Sequence, residues 1–201
     1  MDEKTVELLT DLHLKNERQG PGSHEAFLNM LALSGLDTEQ AIEIADIGCG
    51  TGSSTLPLLK NTKAHITAVD LLPDFLEELK RKVGECGFSE RVDILEANMA
   101  SLPFREEQFD ALWAEGSIYT IGFETGITEW KRFLKPGGVL VVSEITWLAT
   151  AVPKEIKNHW ESEYPEIHTA SHKMKVLEKN DYSPIGYFTL DETAWLDHYY
   201  T

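Results

Sequence analysis

The stretch that most constrains this chain is Ala45-Asp46-Ile47-Gly48-Cys49-Gly50-Thr51-Gly52. The run from Ala41 to Ile47 leads into it, short and apolar enough for a buried parallel strand. Ser53 follows as a helix N-cap candidate, ahead of Leu56, Leu58 and Leu59. Glycine at three alternate positions lets the backbone turn tightly and approach a ligand with no Cβ in the way. The next helix then turns its free N–H groups and positive dipole end toward that ligand. Strand, glycine turn and helix in this order predict a nucleotide-type binding turn.

The rest of the chain is read against that turn. From Ala41 onward strands and helices alternate, the pattern of a parallel sheet with crossovers. His65–Asp70 reads as strand two, Arg91–Glu96 as strand three, Phe109–Ala114 as strand four and Val139–Ile145 as strand five. Pro73 opens a helix that closes near Gly87, and 125–134 reads as a helix before the turn Lys135-Pro136-Gly137-Gly138. Further helices are expected over 153–164 and 171–180, and a sixth strand over Pro184–Leu190. Before the sheet, 3–17 and the run from Ser23 to Gly35 read as two amphipathic helices, parted by Gln19-Gly20-Pro21-Gly22. They either lid a pocket or pack on the sheet's flank. With 201 residues and no linker or repeat, one domain is expected: a helical cap over 1–38, a core over 40–146 and a substrate-side part over 147–201.

Composition narrows the partners. A formal net charge of −16 repels phosphate backbones and anionic lipid, so a nucleic-acid or membrane substrate is disfavoured. Cys49 and Cys86 are isolated thiols, not a disulfide framework. The charged N-terminus lacks a signal-peptide apolar region, and no apolar run approaches the ~18 residues of a membrane span, so a cytoplasmic protein is expected. His168 and His172 are four apart, but with no third ligand nearby a metal site is not expected.

In a doubly wound sheet, ligands bind at the carboxyl ends of the strands. Asp70 ends strand two, twenty-two positions after Gly48, where an acid accepts hydrogen bonds from both ribose hydroxyls of a nucleoside. A dinucleotide turn wants Gly or Ala at the position Ser53 holds; Gly52 gives G-x-G-x-G instead, which favours a mononucleoside-like ligand.

ADIGCGTG, the AVD that ends strand two, ANMASLPF after strand three, FDALWAEGSIY at strand four and LKPGG before strand five together resemble the class I S-adenosylmethionine-dependent methyltransferases. The likeness runs over about 40–146 and leans toward the small-molecule branch of ubiquinone/menaquinone-type enzymes and unassigned bacterial methyltransferases. It implies a Rossmann-like α/β fold with a central, mostly parallel sheet, helices on both faces and an N-terminal helical cap. It also implies methyl transfer from S-adenosylmethionine to a small-molecule acceptor. By the same resemblance Asp46 supports the glycine loop or meets the methionine amine, and Gly48, Gly50 and Gly52 pass beneath the methionine and ribose. Asp70 binds the ribose, Leu71 lies on the adenine, Asn98 faces the adenine amino group and Met99 flanks the ring. Glu115 faces the methionine end. Arg18, in the RQGPGS segment, is a candidate to fork onto the methionine carboxylate.

Glu115, His24, His13, Tyr119 and His159 are candidate bases, none of them assigned. Tyr119, Phe123 and Trp147 are candidate pocket walls, and Trp113 reads as core. Two other functions stay open: an NAD-dependent oxidoreductase on the same glycine turn, and a non-catalytic cofactor-binding module. The family's sheet ends in an antiparallel hairpin whose last strand is expected to be missing from this chain. An unpaired edge there would leave room for a homodimer.

Overall fold

The computed structural model describes residues 10, 12–14, 16, 18–149 and 151–196. Most of the expected helix over 3–17 therefore lies outside the described residues. Five parallel strands, β1 (Glu43–Ile47), β2 (His65–Asp70), β3 (Val92–Glu96), β4 (Phe109–Ala114) and β5 (Leu134–Val142), form a sheet in the order β3-β2-β1-β4-β5. Order reverses between β1 and β4, so the loops after those two strands open a crevice at the sheet's carboxyl edge.

Side-chain alternation sends the strands' residues to two cores. Ile44, Ile66, Ala68, Ala111 and Trp113 pack one face against α1 (His24–Ser34), α2 (Thr55–Asn61) and α3 (Pro73–Glu85). Ala45, Ile47, Val69, Leu112 and Ala114 pack the other against α4 (Phe123–Trp130), through Phe123, Ile127 and Trp130. Each fully buried Leu, Ile or Phe of these clusters contributes about 1.5–3 kcal/mol of transfer free energy.

Helix α1 begins where Ser23 Oγ accepts the Ala26 N–H (3.1 Å) and ends at Gly35, whose left-handed φ of 66° lets its N–H reach the Ala32 carbonyl. Phe27 is fully buried, its ring centroid 5.5 Å from that of Trp113. This helix packs on the sheet's flank; the segment just before it crosses the carboxyl edge.

Three elements differ from the sequence expectation. β5 starts at Leu134 because Leu134 pairs with Phe109 before the Lys135–Gly138 turn, and pairing resumes at Val139 with Ala111. Gly138 allows this, since a Cβ there would sit 2.9 Å from the Lys135 carbonyl oxygen. Ser54, not Ser53, precedes α2, and its hydroxyl makes no cap bond because it donates to Glu115 instead. Pro184–Leu190 is not a strand. It joins no ladder, and Ile185, Tyr187 and Phe188 are all exposed.

Past β5 the chain forms β6 (Thr146–Trp147), α5 (Lys154–Glu163), β7 (His168–Thr169), α6 (Ala170–Lys179) and α7 (Thr193–Leu196). β6 and β7 make a short parallel pair that the sequence pattern did not announce. The Gly22 N–H donates to the Ala194 carbonyl (3.1 Å), tying the segment before α1 to α7.

Candidate functional site

Gly48, Gly50 and Gly52 all adopt positive φ, of 78°, 54° and 96°. Gly48 and Cys49 donate their N–H groups to the Val69 carbonyl (2.8 and 2.9 Å), which bends the turn toward β2. A Cβ on Gly48 would lie 2.4 Å from the Ser117 Cβ, so the loop after β4 touches the turn directly. Ser117 Oγ donates to the Ile47 carbonyl at 2.7 Å and fixes that contact.

Asp70 meets this turn from the end of β2. Its Oδ2 accepts the Gly50 N–H (2.9 Å) and its Oδ1 the Leu72 N–H (3.0 Å). Each carboxylate oxygen keeps a further lone pair. Gly48, Asp70, Leu71, Asn98, Met99 and Thr120 line a cleft of about 280 Å³ at the ends of β1, β2 and β3. Leu71 is 57% exposed, a free apolar surface at the cleft's mouth. Asn98 Oδ1 accepts the Ala100 N–H (2.9 Å), which engages one of its two lone pairs. The Met99 carbonyl accepts from Trp130 Nε1 (2.9 Å), and its sulfur lies 3.2 Å from Thr120 Oγ1, whose hydroxyl donates to the Ser117 carbonyl (2.8 Å).

Deeper in the crevice, Glu115 gathers three donors. Ser54 Oγ (2.8 Å) and Trp113 Nε1 (2.9 Å) donate to Oε1, and Arg18 Nη2 donates to Oε2 at 2.6 Å. The Arg18 and Glu115 side chains are only 10% and 5% exposed. Arg18 Nε is buried with no partner among the described residues. Gly22 makes room for this guanidinium, because a Cβ there would fall 2.3 Å from Arg18 Nη2. Asp46 lies beneath the turn, 1% exposed, and its Oδ2 accepts from Thr55 Oγ1 at 2.6 Å. Burial pushes its carboxyl up to about 7; the Thr55 hydroxyl opposes this, Glu115 and Asp70 add to it, and Arg18 opposes it.

The structure thus brings Asp46, Gly48, Gly50, Asp70, Glu115 and Arg18 to one edge of the sheet, with Leu71, Asn98 and Met99 around the adjoining cleft. Gly52 points its open face elsewhere, since a Cβ there would strike Leu79 Cδ1 at 2.5 Å. Sequence reasoning missed Gln19. Its Oε1 accepts from Thr51 N–H (3.0 Å) and Thr51 Oγ1 (3.1 Å), while its Nε2 donates to the His13 and Asn16 carbonyls. This one side chain pins the N-terminal segment across the glycine turn. The signal was present, in the same RQGPGS segment that carries Arg18. Trp113 is core, as read, and is also a Glu115 donor.

Comparison with known proteins matches residues 45–142 to a family described as a methyltransferase domain. Over that stretch the chain is similar to a methyltransferase domain. A solved S-adenosylmethionine-dependent methyltransferase of Thiobacillus denitrificans, in complex with S-adenosyl-L-homocysteine, superposes with a TM-score of 0.82 at 19% identity, over 99% of this chain and 79% of its own. A sterol 4-C-methyltransferase of Caenorhabditis elegans is 29% identical over 167 residues, 79% of this chain and 49% of its own length. A ubiquinone/menaquinone biosynthesis C-methyltransferase of Bartonella tribocorum is 32% identical over 114 residues, 52% of this chain and 41% of its own. The chain spans about half the length, or less, of these two curated relatives. The fold is that of the class I methyltransferases.

Around the sheet's carboxyl edge the remaining candidates separate. His24 and His159 are exposed residues of α1 and α5 and line neither cavity. Tyr119 stands edge-on to Tyr164 (6.0 Å between centroids), and burial pushes its phenol up, which keeps it protonated. Phe123 and Trp147 line a second cavity, of about 1130 Å³, between β5 and the 169–190 region. His168 and His172 stack at 3.7 Å, and among the described residues no group of three or more His, Cys, Asp or Glu gathers as for a metal. Among the same residues no helix is long and apolar enough to cross a membrane.

Proposed function

We propose that this chain binds S-adenosylmethionine and transfers its methyl group to a small-molecule acceptor, leaving S-adenosylhomocysteine. The observation that carries the reading is the cleft beside the glycine turn, with a carboxylate at its β2 wall and the apolar side chains of Leu71 and Met99 in its lining. Asp70 accepts the ribose hydroxyls on the lone pairs its two backbone donors leave open. Leu71 and Met99 sandwich the adenine, and Asn98 offers its amide to the ring edge. Gly48 and Gly50 hold the turn at positive φ, their Cβ positions taken by Ser117 and Gln19, so that bare backbone passes under the ribose and methionine. Arg18, with Nε unengaged and Nη2 held by Glu115, takes the methionine carboxylate, and Glu115 fixes that guanidinium. Asp46 supports the turn from below through Thr55.

The bound sulfonium supplies an electrophilic methyl carbon, so the chain's own task is alignment and exclusion of water. The 18–22 segment crosses the crevice and closes one side. The whole described chain serves as one unit, the core holding the cofactor and residues 147–196 walling the acceptor side.

A second reading has one observation behind it. A solved protein described as the [4+2]-cyclase SpnF is 26% identical with a TM-score of 0.64, so a chain of this fold is known by another activity. Thermal shift with S-adenosylmethionine, S-adenosylhomocysteine and NAD, followed by methyl-labelled transfer to an acceptor panel, separates the readings. Stabilisation by the two adenosyl ligands and label in a product is the expected result. Stabilisation by NAD alone refutes the proposal. Adenosyl binding with no labelled product across a broad panel favours the second reading.

A further inference from the structure

The larger cavity holds a buried polar cluster that the cofactor site does not use. Glu144 lies just past the end of β5, next to Ser143, whose Oγ accepts the Gly116 N–H at 2.7 Å. That places it one loop away from Glu115. Its Oε1 accepts from Lys173 Nζ of α6 (2.6 Å) and from the hydroxyl of Tyr164, the residue that closes α5 (2.5 Å). Lys173 Nζ also donates to the Tyr164 oxygen at 3.2 Å and sits over the Phe123 and Tyr164 rings, 4.5 and 5.0 Å from their centroids. The Lys173 and Glu144 side chains are 5% and 7% exposed. Glu144 Oε2 is buried with no partner among the described residues.

A buried carboxylate oxygen without a donor is costly, and native proteins seldom leave one unless a ligand or water supplies the bond. Both Glu144 and Lys173 line the cavity of about 1130 Å³, whose other walls include Val142, Trp147, Met174 and Leu177. The cavity wall is therefore mostly apolar at this end and carries a buried carboxylate oxygen without a donor.

We propose that Glu144 Oε2, held in place by Lys173 and Tyr164, is the hydrogen-bond acceptor that orients the methyl acceptor, a neutral O–H or N–H donor on an otherwise apolar body. The atom decides the polarity of its partner, because an ionised carboxylate accepts and cannot donate. The Glu144–Lys173 pair is formally neutral, and Lys173 is already engaged by Oε1, the Tyr164 oxygen and two rings. A carboxylate or phosphate on the ligand would face Oε2 with no cation released to meet it. A hydroxyl or amine meets it directly, while the aliphatic and aromatic walls take the rest of the molecule. Tyr119, edge-on to Tyr164, links this cluster to the loop that borders the cofactor cleft. The inference rests on the methyltransferase reading for calling the bound molecule the acceptor, but the binding site stands on the cluster itself.

The test compares 1-naphthol with 1-methoxynaphthalene by isothermal titration, with and without S-adenosylhomocysteine. In the wild type 1-naphthol binds about tenfold more tightly, the usual worth of one hydrogen bond to a charged group. Glu144→Gln keeps an oxygen for Lys173 and Tyr164 and puts an NH₂ where Oε2 was, so the preference falls below about threefold. Because Lys173 is then left without its counter-charge, Glu144→Gln/Lys173→Met is the second variant; Tyr164 still orients the amide, and the same loss is expected. S-adenosylhomocysteine affinity stays within about twofold in both, since neither residue lines its cleft. Equal affinity for the two probes in the wild type, no binding of either, or a preference that survives in both variants overturns the proposal. A naphthol preference without any S-adenosylhomocysteine binding supports the Glu144 site and refutes the cofactor reading instead.

Discussion

Asp46 makes a sharp prediction about pH. It is 1% exposed within β1, and its Oδ2 accepts from Thr55 Oγ1 at 2.6 Å. Desolvation, with Glu115 and Asp70 nearby, lifts its carboxyl from 3.8 to about 7 against the opposing Thr55 and Arg18. A rise of about three units corresponds to about 4 kcal/mol between the two protonation states. From pH 3.8 to 7 the native carboxyl holds a proton that the unfolded chain has released. The native state therefore binds more protons, and stability falls as pH rises, at up to about 1.4 kcal/mol per pH unit. The favourable contribution is complete below pH 3.8 and gone above 7. Asp46→Asn removes the titration while keeping an oxygen for the Thr55 hydroxyl. Urea unfolding followed by circular dichroism at pH 4.5, 6, 7 and 8.5 reads the effect. The difference between variant and wild type isolates Asp46 from Glu144, whose carboxyl burial also raises. The variant is expected to gain about 3 kcal/mol on the wild type between pH 4.5 and 8.5. Curves that stay parallel within about 0.5 kcal/mol, or a gain of opposite sign, refute the assignment.

Three further outcomes follow from the same geometry. Asp70→Ala weakens S-adenosylmethionine binding by about 100-fold in titration calorimetry, for two lost hydrogen bonds to a charged acceptor; an unchanged affinity removes Asp70 from the ribose site. Gly48→Ala costs about 2–4 kcal/mol in urea unfolding, from a positive φ and a Cβ 2.4 Å from that of Ser117. Ser117→Ala does not rescue it, because the obstructing atom is the Ser117 Cβ, whereas Ser117→Gly restores part of the loss. For the buried Arg18–Glu115 pair, Arg18→Met alone destabilises by about 3 kcal/mol, and adding Glu115→Gln recovers at least about 1 kcal/mol. A double-mutant cycle with no coupling between the two sites contradicts the ion pair.

Local chemistry wrote much of this protein into its sequence. The strand–glycine turn–helix at Ala41–Leu59 was legible because period and glycine spacing act within a few residues. The same holds for Ser23 and Gly35 at the ends of α1 and for Pro73 at the start of α3. The parallel order followed from alternation, and five motifs pointed to the methyltransferase fold. Glycines 48, 50 and 52 take positive φ because side chains would be strained there, a demand the sequence displays openly.

Only tertiary structure decided the rest. Arg18 and Glu115 are 97 positions apart, and no local pattern says that a guanidinium will be buried against that carboxylate. Ser54 gave up its cap role because a distant carboxylate competes for its hydroxyl. Pro184–Leu190 reads as a strand yet joins no ladder, since pairing depends on where an edge lies, not on the segment alone. The Glu144–Lys173–Tyr164 cluster was invisible for the same reason. Its three members look like ordinary surface residues until the ends of β5 and α5 and one face of α6 converge. Periodicity and glycine conformation are properties of neighbours in the chain; burial of charge and the choice of hydrogen-bond partner are properties of neighbours in space.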